Sequence, residues 1–156
     1  MAFLISGMIF SKRYSRRCLI FDELVVLCAG IHNRIFYIMQ PLDEIIIDIC
    51  HEGSCRSLTF IYYFQKRLHR EDFPTAWKNA VNSSDMPLTE KEKNIIRSFG
   101  LSLGKSDGDV QLNIIGYYTE LFKAYAKEAR LKKEKYEKAS LLGWCLCGSA
   151  LLILFI

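Results

Sequence analysis

Histidine is scarce in this chain, three residues among 156, and the motifs through which it does chemistry are missing. No HExxH seats a zinc ion on a helix face, and no GxGxxG follows a strand-like run. No GxxxxGK[ST] loop offers its amides to a phosphate either. Leu103-Gly104-Lys105-Ser106 ends in a GKS triplet, but Phe99 stands where that loop needs its first glycine, and a helical run precedes it. Net charge is also small, +4, so the overall balance gives no reason to expect a nucleic-acid partner. Six cysteines do not form a disulfide framework: Cys145 and Cys147 fall in an apolar tail, Cys18 and Cys28 in a helical pattern, and only Cys50 and Cys55 near a turn. Free thiols in a reducing compartment fit that distribution. Cys50, His51 and Cys55 are the one cluster of soft ligands. They lack a fourth, since His32 and His69 are the remaining histidines, and the cluster reads as a helix end. Asp43, Glu44 and Asp48 sit at solvated helix positions, and no serine or cysteine has an evident base. The expectation is a protein that is not an enzyme, with no cofactor, metal or small-molecule substrate.

Charge is absent from the last stretch, ASLLGWCLCGSALLILFI, residues 139–156. Eighteen helical residues reach about 27 Å, enough to cross a bilayer core, so this stretch is expected to be a transmembrane helix. Before it lie Lys123, Lys127, Arg130, Lys132, Lys133, Lys135 and Lys138 against Glu128, Glu134 and Glu137. Basic residues beside a span stay on the cytoplasmic side, which places the preceding domain in the cytoplasm, at the cell membrane. Ser140, Gly143, Cys147 and Ala150 recur at three or four residues and would let another helix approach closely in lipid. At the other end, MAFLISGMIF is apolar and is followed by Lys12, Arg13, Arg16 and Arg17. Ten residues are too few to span as a helix, and the order is wrong for a signal peptide. Three readings stand: part of a truncated or degenerate span, favoured by the polarity of the basic cluster; a helix end dipping into the interface; or a stub packed on the domain. The chain thus divides into 1–17, a short apolar start with a basic cluster; 18–138, a helical bundle; and 139–156, the membrane helix.

Between the ends the pattern is all-α, a bundle of about six helices. Leu19, Phe21, Leu24, Leu27, Ile31, Ile35 and Ile38 give a helical stripe from about Cys18 to Met39. Pro41 suits the first turn of a second helix carrying Leu42, Ile45, Ile46 and Ile49, which Gly53-Ser54 closes. From Arg56 to His69 the YYF run suits a strand, yet the Leu58–Ile61–Gln65–Leu68 spacing favours a helix. A short helix follows Asp72 through Ala76, Trp77, Ala80 and Val81. Thr89-Glu90-Lys91-Glu92 is a capping box opening a fifth helix to about Leu101, with Ile95, Ile96, Phe99 and Leu103 inward. Asp107 is the expected N-cap of the last helix, whose inward stripe is Leu112, Ile115, Tyr118, Leu121, Phe122 and Tyr125. Without a proline it runs on into the apolar tail, a stiff stalk.

Leu103, Gly104, Asp107 and Gln111, followed by Lys135, Tyr136, Glu137 and Lys138 leading into a leucine-rich span, resemble the pattern of the stage III sporulation protein AB family. The resemblance covers nearly the whole chain and is specific from about Phe99 onward. That family usually opens with a full span, where this sequence has MAFLISGMIF. The resemblance implies a helical domain similar to the cytoplasmic domains of the type II secretion inner-membrane platform protein. It implies a place in the channel complex joining mother cell to forespore, in the mother-cell membrane, with a secretion-type ATPase and other membrane proteins as partners. In that family the motif residues set the helix break and the packing of the last helix and are not catalytic. The other reading is a tail-anchored cytoplasmic adaptor or regulator unrelated to secretion.

Overall fold

A computed structural model describes the backbone at residues 2–38, 41–103 and 108–154, and side chains within those ranges except at 2–11, 36–38, 108–109, 137 and 139–154. Among the described residues there are six α-helices and no strand: α1 Ala2–Ile38, α2 Leu42–Ile49, α3 Phe60–Leu68, α4 Phe73–Ser83, α5 Glu90–Leu103 and α6 Gly108–Leu154. The ambiguous YYF segment is helical, and a π-turn, Cys50–Ser54, follows α2. Gly53 adopts φ 88° in that turn, a left-handed conformation that glycine takes without a Cβ penalty.

Pairing of α1 with α6 organises the bundle. Tyr14 stacks on Tyr136 with centroids 5.0 Å apart, and Phe21 stacks on Tyr125 at 5.3 Å. Arg130 donates to Asp22 at 2.6 Å, and Cys28 shares a hydrogen bond with Thr119. Numbers rise along one helix as they fall along the other, so the two are antiparallel. Ile20, Phe21, Leu24, Leu27, Cys28 and Ile31 line the buried face of α1, with Ile115, Phe122, Ala126 and Ala129 on α6. Leu19, expected inward, is 51% exposed. Two residues turn a helix by roughly 200°, so Leu19 cannot share a face with Phe21, and Ile20 takes the core position instead.

Around Trp77, α3, α4 and α5 pack together as part of the same continuous core. The Trp77 ring meets Phe60, Phe64 and Phe99 edge-on at 4.9, 5.3 and 6.0 Å and stacks on Phe73 at 5.9 Å. The indole N–H donates to the Ile96 carbonyl at 2.8 Å, which satisfies its one polar atom. A Cβ on Gly100 would lie 2.1 Å from the Trp77 ring, so only glycine lets α4 and α5 approach this closely.

Helix starts follow local rules. Pro41 is the N-cap of α2, one place before its expected position, and its carbonyl accepts from Ile45 N–H at 3.1 Å. Asp43 and Glu44 in the first turn suit the positive end of the helix dipole. For α4, Asp72 accepts from Thr75 N–H. α3 begins at Phe60 and not Arg56, because residues 55–57 form a turn in which Ser57 N–H donates to Glu23 at 2.7 Å.

Candidate functional site: the neck of α1 and α6

Sequence pattern grouped Arg17 with Lys12, Arg13 and Arg16; the structure separates it from them. The Arg17 side chain is 11% exposed and pairs with Glu92, itself 1% exposed, through Nη2 at 2.5 Å and Nε at 2.7 Å. Glu92 is also the glutamate of the capping box: its Oε2 accepts from Thr89 N–H and from Thr89 Oγ1, each at 2.8 Å. One carboxylate therefore opens α5 and ties it to α1 across 75 residues of sequence. A buried carboxylate with both oxygens occupied offsets its desolvation; losing either partner strands a charge.

Among the described residues, Arg17 and Ala129 are the last buried positions toward the chain-terminal end of each helix. Beyond them the two helices continue as a two-stranded neck, residues 12–16 beside 130–138, toward the apolar stretches. Lys12, Arg13 and Arg16 on α1 and Lys135 and Lys138 on α6 are exposed there. The antiparallel register brings together two basic clusters more than 110 residues apart. Ion pairs among the described residues take up Arg130 with Asp22 and Lys132 with Glu128 but none of these five. The hydrogen bond with Tyr136 and slight burial raise the pKa of Tyr14 above the ordinary phenol value. Charge is polarised along the molecule: residues 12–17 and 123–138 hold eleven Lys or Arg against three Glu, while the rest holds ten against fourteen Asp or Glu.

Two other regions were candidates. Cys50, His51 and Cys55 line an open cleft of about 530 Å³ with Arg56, Tyr62 and Gln65. The hydrogen bond with Cys55, followed by burial, pushes the Cys50 pKa well above the usual thiol range, so that thiol stays protonated. Among the described residues no three His, Cys, Asp or Glu side chains group as a metal site. The Gly104-Lys105-Ser106 triplet lies outside the described residues, and the element before it is the helix α5.

Of the motif residues, Gln111 donates to the Leu103 carbonyl at 2.8 Å, which satisfies a free carbonyl at the end of α5 from the first turn of α6. Lys135, Tyr136 and Lys138 are exposed on the neck. Gly104 and Asp107 lie outside the described residues, as does the Glu137 side chain. Ser140, Gly143, Cys147 and Ala150 fall within α6, but their side chains also lie outside. The helices cross both expected domain boundaries: α1 runs on from Ala2 through Arg17, and α6 continues past Lys138 to Leu154. Among the described residues no helix is long and apolar enough to cross a membrane, and the side chains of the expected span, 139–156, are not among them.

Fold and surface together define an all-helical bundle built on a long antiparallel helix pair, with its basic excess gathered at one end. The stage III sporulation protein AB family model matches residues 1–156, the whole chain, and the chain belongs to that family. Its role thus falls in stage III of sporulation, and the family is not a known enzyme family. No curated protein and no solved structure gives a match to the chain.

Proposed function

We propose that the chain is a non-catalytic membrane component of the sporulation channel complex between mother cell and forespore, a platform for an associated secretion-type ATPase or ring proteins. The antiparallel register of α1 and α6 supports this reading most. It directs the apolar runs 1–10 and 139–156 toward the same end, while α2 to α5 pack along the hairpin on the other side of Arg17 and Ala129. In this reading 139–156 spans the membrane and the start of α1 enters it alongside. The basic neck holds the bundle on the cytoplasmic face, because Lys and Arg beside a span resist translocation. Each connection is an unbroken helix, so force or displacement on the bundle passes to the membrane segment through a stiff two-helix stalk. The surface of α2 to α5 is then free to meet partners.

Deletion of the gene in an endospore-forming host is expected to stop forespore development after engulfment begins; normal spore yield would overturn the reading. In detergent extracts the tagged chain should bring down the secretion-type ATPase, whereas an adaptor unrelated to secretion would not.

A further inference from the structure

We infer that the neck is a recognition surface for anionic lipid headgroups, and that it ranks membranes by their acidic lipid content; this rests on the membrane reading above. The juxtaposition is specific. Lys12, Arg13 and Arg16 on α1 and Lys135 and Lys138 on α6 are all exposed, and the Tyr14–Tyr136 stack at 5.0 Å holds their two helices side by side. Distance along the helix then selects among the basic residues. Lys138 adjoins the apolar run, and Lys12, Arg13 and Lys135 lie within about 6 Å of one in axial rise, inside the ~8 Å Debye length of physiological salt, with Arg16 at its edge, about 9 Å away. Lys127 and Lys123, also exposed on α6, lie about 18 and 24 Å from residue 139 in rise, so a charged headgroup layer at that level is screened from them. Stacked tyrosines at the same level suit the boundary between apolar and wet surroundings, since each ring has an apolar body and a polar tip.

A lipid surface is favoured over a nucleic acid for two reasons. The five charges lie on two adjacent helices, beside the apolar run 1–10 on α1 and the run 139–156 on α6. Away from the neck the net charge turns slightly negative, with fifteen Asp or Glu against thirteen Lys or Arg outside residues 12–16 and 130–138, so the bundle as a whole does not extend the basic surface for a polyanion to follow. An anionic membrane would meet the basic end and repel the acidic remainder, which fixes orientation as well as affinity.

The test uses the full chain, synthesised without cells in the presence of vesicles and followed by flotation. Two compositions serve: phosphatidylcholine alone, and phosphatidylcholine with about a third phosphatidylglycerol. Partition should rise at least about tenfold with the anionic lipid, and most of that rise should vanish in half-molar salt. Replacing the five residues together (K12Q, R13Q, R16Q, K135Q, K138Q) should remove the tenfold ratio and leave flotation with phosphatidylcholine unchanged. The pair K123Q and K127Q should leave the ratio intact. Equal partition to both vesicles, or loss of the ratio in the distal pair as well, would overturn the headgroup assignment and spare the membrane reading. No flotation with either vesicle would overturn the membrane reading itself. Displacement from anionic vesicles by duplex DNA at equal phosphate concentration would assign the surface to nucleic acid and contradict the inference.

Discussion

The cluster around Trp77 and the neck of α1 and α6 are built from opposite materials. In the cluster, five aromatic rings interlock, one indole N–H reaches the Ile96 carbonyl, and Gly100 leaves space that a methyl group would overfill. In the neck the contacts are a tyrosine stack and exposed charges. Dense packing gives a steep dependence of stability on shape, because a core cannot relax around a void or an extra atom. Exposed charges in water contribute little to stability and leave those residues free to answer to a partner. The difference separates what holds the fold from what the fold presents.

That separation can be broken most sharply at Trp77. Trp77→Ala should cost about 3–5 kcal/mol, from lost burial and the cavity left behind, measured by urea unfolding of the full chain in detergent. Gly100→Ala should cost about 1–3 kcal/mol by the opposite route, overpacking against the same ring. If either were neutral, the cluster would not be the stability centre.

Arg17 sits where the two regions meet. Glu92→Gln should destabilise by about 3 kcal/mol, because Arg17 keeps its buried charge without a counter-ion. Pairing it with Arg17→Met should recover part of that loss. A double-mutant cycle showing no coupling would place Arg17 with the exposed neck charges after all.

Alkaline pH offers a gentler probe. Burial pushes the Cys28 thiol up to about 12. The folded chain therefore keeps a proton that the unfolded chain loses near the ordinary thiol value. Stability from this group is complete below about pH 8.5, falls as pH rises, and is lost by the time pH passes the folded value. The slope should be up to about 1.4 kcal/mol per pH unit, and Cys28→Ala should flatten it. A slope unchanged in that variant would mean the thiol is not responsible. Smallest of all should be Tyr136→Ala in the neck, about 0.5–1 kcal/mol from the lost stack.

How much of this was legible in the sequence depended on range. Asp72, the Thr89–Glu92 box and the Ala76, Trp77, Ala80, Val81 face all follow rules that operate within a few residues, and the structure has each of them. The Arg17–Glu92 pair was not legible. Both residues had sufficient local reasons to be where they are, a basic cluster and a helix cap, and only tertiary packing brings them together. Leu19 went astray because it stands about 160° from Phe21 and about 140° from Leu24 around the helix, on the opposite face from both; the stripe admitted one residue too many. The neck itself was half-visible. Each basic cluster stood out in the sequence, but their adjacency depends on the antiparallel register, which no local pattern encodes.

The central claim is that one hairpin sends both ends of the chain toward one membrane. Trypsin added outside vesicles that hold the reconstituted full chain, with the bundle facing outward, tests it most directly by mass spectrometry of what stays with the lipid. The account predicts that peptides from residues 1–12 and from 139–156 are both retained while fragments of the bundle are released. Release of the N-terminal peptide with retention of the C-terminal one would contradict it.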